Sequence, residues 1–436
     1  MSQGMVLAEE ILAALARRGC REAEVYLKRG RSRCVALGVA GVEVANCLEE
    51  GWAVRASDRR RSWFAAGSGP ARPLGEWPAG DSPPLRLVDP QPVAPWTAPA
   101  ELGAPLLGEG EALALLETIG RGIAAEVPGA RLVAARLEDG ASESDLASSR
   151  GVRAACRHRL AALRLEVVLP GGRGGIVADL GEREARRFRP QALSRRLVDR
   201  LLVARDGRPP AHDGGEIVLA PGLAARLVEA TAPWLCGPDA EGALAPLRDG
   251  AGRIAAGCVT LTDDGRRPGG ILAAAVDGEG SPTALVTLVE EGVFRQPLLA
   301  WWEARPPQRA SGCVRRASFR DLPRRAPTHL VLEPNPRLTP GELVAGVERG
   351  FYLLDLEGAP VVDLAGDTLA VPVCGFALAG GRAAAPVRGA VLTGSARRLW
   401  AGAVAVARDL EWVLGDGAFA APTVLLSGLE VRRAAP

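Results

Sequence analysis

The chain has 436 residues, a formal net charge of +2, 47% hydrophobic residues and 24% charged residues. That length exceeds what one core ordinarily organises, so two domains are expected. The near-neutral balance excludes a global field that would draw the protein to nucleic acid or to an anionic membrane. No apolar run reaches the ~18 residues of a transmembrane helix.

The N-terminal residues Met1 to Glu10 lack a basic segment followed by an apolar block, so no signal peptide is expected. Lys28 is the only lysine and asparagine stands only at 46 and 335, a bias that genome composition explains better than thermophily, which tends to enrich lysine. The eight cysteines form no C-x-x-C pair. They read as free, buried thiols of a cytoplasmic protein. The three histidines, His158, His212 and His329, are too far apart in sequence for a self-contained imidazole metal site.

Met5 to Arg18 places Leu7, Ile11 and Leu15 on one face of an opening helix, with Gly19 as its stop. Short strands are predicted at Glu24–Leu27, Cys34–Val39, Val42–Leu48, Trp52–Ser57 and Ser62–Ala66, with turn material at Gly38 to Gly41. Residues 67–105 are rich in Pro and Gly and read as an extended connector. A helix over Glu109–Glu126 ends at Pro128-Gly129; strands follow at Arg131–Leu137 and Val152–Val168. Pro190 to Arg205 aligns Leu193, Leu197, Leu201 and Leu202 along a second long helix. Gly207 to Gly215 punctuates the chain. The predicted organisation is α+β: a mixed N-terminal domain over 1–206 and a β-rich C-terminal domain over 216–436. In the latter, strands at Ala284–Val289, His329–Glu333, Gly350–Leu356 and Val387–Thr393 are interrupted by helical patterns at Pro221–Ala232 and Ser395–Asp409.

Within 221–232, Pro221 suits a first helical position, Leu223, Leu227 and Val228 line one face, and Pro233 ends the helix. Taken alone, this is a short surface helix with an exposed Glu229. Zinc peptidases place a Glu beside a His on such a helix, the imidazoles holding the metal and the Glu taking a proton from bound water; here no imidazole flanks Glu229.

Eight segments taken in order resemble the TldD/PmbA family. They begin with Ala23-Glu24-Val25-Tyr26 and Gly51-Trp52-Ala53-Val54-Arg55. Ser149-Arg150-Gly151-Val152 is similar to that family's N-S-x-G-V turn. Asp277-Gly278-Glu279-Gly280 with Pro282-Thr283, then Glu290-Glu291-Gly292-Val293, resembles its D-D-E-G-x-P-T…E-G-V block. Ala326-Pro327-Thr328-His329-Leu330-Val331-Leu332-Glu333-Pro334 follows, with His329 where the family usually has Asn. The tail, from Gly375-Phe376 through Gly380-Gly381, Ala385-Pro386-Val387, Thr393-Gly394 and Asp409-Leu410-Glu411 to Pro422-Thr423 and Gly428-Leu429-Glu430-Val431, resembles the PmbA branch, also called TldE. Trp301-Trp302 and the Arg-Pro residues after them depart from the family.

The resemblance implies a metallopeptidase family, known also as modulators of DNA gyrase, in which TldD subunits carry H-E-x-x-x-H and bind zinc, while TldE subunits lack the ligands and pair with TldD to degrade unfolded peptides or trim peptide precursors. Placed on that helix, Val228 and Pro233 occupy the two His positions and Glu229 keeps the Glu position. Neither Val nor Pro has a lone pair to donate, so no catalytic or metal site is expected in this chain, and zinc is expected only in a TldD-type partner. Cys374 sits near the family's Cys ligand and is read as a buried thiol. The expected role is a cytoplasmic, non-catalytic subunit of a heterodimer, holding extended peptide on strand edges of its β-rich half. The alternative is a homodimeric peptide-binding scaffold, which an orphan gene would favour. A Cys hydrolase using Cys236 or Cys374 with His329 lacks a positioned base. Direct DNA action is not expected, because Arg59-Arg60-Arg61 and Arg315-Arg316 are short and read as solvated.

Overall fold

The computed structural model describes residues 2–58, 61–71, 85–172, 174–306 and 308–434. The chain opens with α1 (Gln3–Arg17), whose N-cap Ser2 accepts from the Met5 amide. Strands β1 (Glu22–Gly38), β2 (Gly41–Ser57) and β3 (Ser62–Ser68) follow, then α2 (Glu109–Glu126), β4 (Arg131–Ser148), β5 (Arg153–Val168), β6 (Gly175–Glu182) and α3 (Pro190–Asp206). The strands form one antiparallel sheet in the order β3-β2-β1-β4-β5-β6.

The short strands predicted at Glu24–Leu27 and Cys34–Val39 are one continuous strand, as are those at Val42–Leu48 and Trp52–Ser57. The charged run Lys28 to Arg33 has no apolar alternation to announce a strand. Its backbone is nevertheless paired on both sides, with β2 and with β4, and that ladder fixes its conformation. Strand β6, not predicted, is a sheet edge beside Gly174 and Gly175. Of the predicted connector 67–105, residues 72–84 lie outside the described residues. Residues 85–99 carry no regular structure but are tied down by buried Leu87 and Val88 and by Trp301, whose indole donates to the Leu87 carbonyl at 3.0 Å.

Alternation of side chains along β1 gives the sheet two different faces. Val25 and Leu27 pack with α1, and Val35 packs with α2 and α3. Glu24, Tyr26 and Lys28 turn to the opposite face, toward the second half of the chain.

That half begins with β7 (Glu216–Leu219), α4 (Pro221–Thr231) and α5 (Ala240–Leu244). It continues with β8 (Leu261–Asp264), β9 (Leu285–Glu290), β10 (Val293–Phe294), β11 (Val314–Arg315), β12 (Arg324–Arg325), β13 (His329–Leu332), α6 (Pro340–Ala345), β14 (Arg349–Leu356), β15 (Val361–Asp363), β16 (Thr368–Ala379) and β17 (Arg382–Gly394). It closes with α7 (Arg398–Ala401), β18 (Ala403–Val406), β19 (Glu411–Leu414), β20 (Ala418–Ala421), β21 (Val424–Leu426) and β22 (Glu430–Arg433). A six-stranded sheet runs β10-β9-β8-β13-β20-β19, and an eight-stranded sheet runs β18-β21-β7-β14-β16-β17-β22 with β15 on β16. Helix α4 packs between them, against β13, β19 and β20 on one side and β14 on the other. The architecture is α+β.

Two expectations fail here. Helix α4 is not a surface helix: Leu223, Ala224, Ala225, Leu227 and Val228 are all buried in the largest core. The predicted helix over Ser395–Asp409 is the four-residue α7 followed by strand β18, which pairs with β21. Val404 and Val406 favour a strand, and that pairing outweighs the helical spacing.

Candidate functional site

Two places compete for a functional reading, and the first is the helix α4 that the motif points to. Val228 is 1% exposed and faces the core. Pro233 lies on the surface in the 3-10 turn Ala232–Leu235 that extends the helix. The two positions that would carry imidazoles therefore open into different environments. Glu229 is partly exposed and paired with Arg226 at 2.9 Å. Both line a cleft of about 510 Å³ between β6 and α3 on one side and α4, β14 and β19 on the other. The other charges of that cleft are also paired: Arg200 with Asp355 at 2.9 Å, and Arg196 with Glu411. Cys374, on β16 opposite Asp355, is buried; burial, then Glu357 and Asp355, push its thiol up to about 12, so it is neutral. Among the described residues no group of three or more His, Cys, Asp and Glu is placed to hold a metal ion. With Val in the core and Pro on the surface, the residues present do not fit the metal of a peptidase centre.

The second place is where the quoted segments meet. Glu24 of β1 accepts both arms of Arg55 of β2, at 2.9 and 2.6 Å. Arg55 also reaches Glu279 at 2.8 Å, and Glu24 is paired in addition with Arg316. Arg316 donates to the Gly278 carbonyl at 2.8 Å and stacks over the Tyr26 ring, 4.8 Å from its centroid. Burial pushes the Glu24 carboxyl up, but Arg316 and Arg55 outweigh it and hold it below the usual range. Glu279 has one arginine and two carboxylate neighbours, and burial raises it to about 8. Asp277 shapes the loop: its carboxylate accepts from the Glu279, Ser281 and Val314 amides, while burial raises it to about 6. Two glycines allow the approach. A Cβ on Gly51 would stand 2.3 Å from the Phe319 ring, and one on Gly280, at φ +83°, would stand 2.5 Å from Val152.

From this junction a groove of about 1190 Å³ runs across the free face of the first sheet. Small residues keep its floor low: Gly30 and Ser32 of β1, Gly140 and Ser142 of β4. Residues 315–320 form its wall. One border is Cys47 to Glu50 of β2, and β3 pairs with β2 only from Gly51 onward. The Gly69 amide takes the Glu50 carbonyl, so the outer edge of β2 from Gly41 to Glu49 is open among the described residues. His158 on the floor is reached by solvent, yet burial between the walls, then Arg315, Lys28 and Arg183, lower its pKa to about 4.

The remaining sequence candidates resolve as structure. His329 is fully buried; its Nδ1 pairs with the Asp264 carbonyl at 2.7 Å and its Nε2 accepts from the Leu272 amide at 2.9 Å. Burial lowers its pKa to about 4, so it is a neutral ring with both nitrogens committed and is no base for a thiol. Burial pushes the Cys236 thiol to about 11. All eight cysteines are free, but of the expected buried thiols Cys34, Cys313 and Cys374 alone are buried; Cys20, Cys156, Cys236 and Cys258 are half-buried and Cys47 is exposed. Arg59 and Arg60 lie outside the described residues. Arg315-Arg316 is not a solvated pair: the Arg316 side chain is 2% exposed. Sequence reasoning missed both arginines because a two-residue strand gives no alternation to reveal that it is inside.

The PmbA/TldA metallopeptidase C-terminal domain family matches residues 214–433. TldE from Thermococcus kodakarensis is similar over the whole chain, with a TM-score of 0.80 and 17% identity, covering 98% of this chain and 100% of that one. A protein of Bacteroides thetaiotaomicron, described as a candidate modulator of DNA gyrase, has a TM-score of 0.78 and 15% identity, covering 99% of each chain. A Thermotoga maritima protein of the same description has a TM-score of 0.76 and 16% identity, covering 97% and 98%. At these identities the likeness to solved structures is one of fold.

Proposed function

Since the chain belongs to the PmbA/TldD metallopeptidase family, we propose that it is a non-catalytic, TldE-type subunit that pairs with a metal-bearing TldD-type subunit and holds unfolded peptide for it. The observation that carries this reading is α4. The helix lies between two sheets, and the positions that the resemblance assigns to the two ligands hold Val228, buried in the core, and Pro233, on the surface. Such a helix is a structural element and supplies no Lewis acid. The open edge of β2 beside the groove supports the peptide-holding part, because unpaired amides and carbonyls along a strand accept an extended chain by β-augmentation. That edge lies in the N-terminal sheet, not in the β-rich half where strand edges were expected to serve. The zinc belongs to the partner in this reading, and the compartment is the cytoplasm; among the described residues no helix is long and apolar enough to cross a membrane.

The test is co-expression with a TldD-type homologue carrying H-E-x-x-x-H. Co-purification as a stable complex, with chelator-sensitive hydrolysis of an unstructured peptide by the complex and none by this chain alone, is the expected result. Chelator-sensitive hydrolysis by this chain alone would sink the proposal.

A further inference from the structure

We propose that a small chamber at the inner end of the groove is a carboxylate-binding subsite, with the Arg315 guanidinium as its receptor, so that this chain selects peptides presenting a carboxylate at that point. The inference rests on the peptide-holding role above and adds which peptide chemistry it favours.

The chamber has a volume of about 100 Å³ and is lined by Tyr26, His158, Asp277, Thr283, Arg315 and Thr328, among others. Tyr26, His158, Arg315 and Arg316 also line the groove, so the two spaces are continuous. The cations around them differ in one respect. Lys28 is paired with Glu49 at 2.9 Å and Arg29 with Glu50 at 2.9 Å. Arg55 and Arg316 share Glu24 and Glu279. Arg315, half-buried on the same wall, has no carboxylate within 4 Å and no side-chain hydrogen bond among the described residues.

Nor is a neighbour available to fill the gap. Asp263 acts on Arg315 through its field and not through an ion-pair contact; its Oδ1 accepts from the Thr328 and His329 amides at 2.9 and 2.7 Å. Asp277 is turned to the Glu279, Ser281 and Val314 amides. On the same wall, Nη1 of Arg316 is buried without an acceptor. A guanidinium donor buried without an acceptor, as at Nη1 of Arg316, is costly to leave unmatched; Arg315 beside it is half-buried and borders the chamber, and the fork geometry of arginine suits a carboxylate held by two parallel bonds. His158, neutral near pH 7, adds a donor or an acceptor and no second positive charge.

One unpaired cation in a chamber of this size calls for a single negative charge on a small group. A dianion such as a phosphate monoester would bring its second charge against Asp277, which lines the same chamber. A peptide supplies a monoanionic carboxylate from two sources, its own C-terminus or an Asp or Glu side chain. Either could reach the chamber from a chain lying along the groove past Gly30 and Gly140.

The experiment measures binding of the full-length protein to three fluorescent peptides of one uncharged sequence: one with a free C-terminal carboxylate, one amidated, and one amidated with a single internal Glu. The wild-type protein is expected to bind at least one carboxylate peptide about tenfold to a hundredfold more tightly than the neutral one, the range of a charge-assisted bidentate bond. Which of the two gains identifies the source. Arg315→Gln removes the difference between the carboxylate and neutral peptides; Arg315→Lys retains part of it, since the charge stays and the fork goes. Equal affinity of the wild type for all three peptides overturns the subsite without needing a variant, as does a preference that survives in Arg315→Gln. If Arg315→Gln fails to fold, the peptide comparison on wild type and Arg315→Lys decides. Failure of all three peptides to bind overturns the peptide-holding role itself, and the subsite with it.

Discussion

Helix α4 and the junction at Glu24 and Arg55 are both lined by charge, yet the charges are arranged to different ends. At α4 the cleft is lined by ion pairs that are partly exposed, Arg226 with Glu229 and Arg200 with Asp355. Its apolar side is closed by Val228 and the surrounding core. At the junction, Glu24, Arg55, Glu279 and Arg316 are nearly sealed from solvent, with side-chain exposures of 11% or less. They join the first sheet to a loop more than two hundred residues away in sequence. The cleft can lose a pair to water with little consequence, whereas the junction cannot. The helix on which the resemblance places the family's metal motif is therefore the structurally ordinary region, and the segments that look like mere spacing motifs build the demanding one.

The strongest way to break this contrast is Arg55→Ala. It leaves Glu24 with one partner and Glu279 with none, in a place where water does not reach. Removing one member of a buried ion network costs about 3–5 kcal/mol, and a loss of that order in denaturant unfolding is expected. A loss below about 1 kcal/mol would mean that solvent enters the junction.

A gentler test uses pH. Burial raises Glu279 to about 8 and Asp263 to about 7, above the values of the unfolded chain. A carboxyl raised on folding is held as the neutral acid, so its contribution is complete below its unfolded pKa and is lost as pH rises through the folded value. His329 runs the other way. Lowered to about 4, it favours the folded state above its unfolded pKa and withdraws that support as pH falls toward 4. The two effects oppose each other in the acid range and leave only the carboxyls acting above pH ~6.5. Stability is expected to fall by about 1 kcal/mol or more between pH 6.5 and 8.5. Glu279→Gln keeps a hydrogen-bond acceptor for Arg55 but cannot ionise, and it flattens the upper part of that slope. A wild-type curve already flat from pH 6.5 to 8.5 rules the account out.

How much of this was legible in the chain follows the same contrast. The α+β class, the three long helices and nine strands in whole or in part, β1 to β5, β9, β13, β14 and β17, could be read from periodicity and from Gly and Pro punctuation. The continuity of β1 through Lys28 to Arg33 could not, because it is set by pairing with strands far away in sequence. The helix over Pro221–Ala232 was legible, but its burial between two sheets was not, since the small residues Ala224 and Ala225 are buried beside Leu223, Leu227 and Val228 without forming a long apolar run. Arg315 and Arg316 were the least legible. Their interior position comes from a two-residue strand and from a carboxylate, Glu24, near the other end of the chain.

The smallest expected effect belongs to the cleft. Arg226 and Glu229 are three residues apart on α4, with side chains 32% and 29% exposed. A pair at such exposure contributes about 0–1 kcal/mol. Arg226→Ala also loses a long contact of 3.3 Å to the Leu414 carbonyl, which water can replace, so its destabilisation should stay within about 1 kcal/mol. Glu229→Gln should change stability no more than that, and it should leave peptide hydrolysis by the assembled pair unaltered, because in this chain the carboxylate faces an arginine and no metal site. A several-fold drop in hydrolysis with stability intact would place Glu229 against the substrate. The cleft, and not the groove below the first sheet, would then be the working surface.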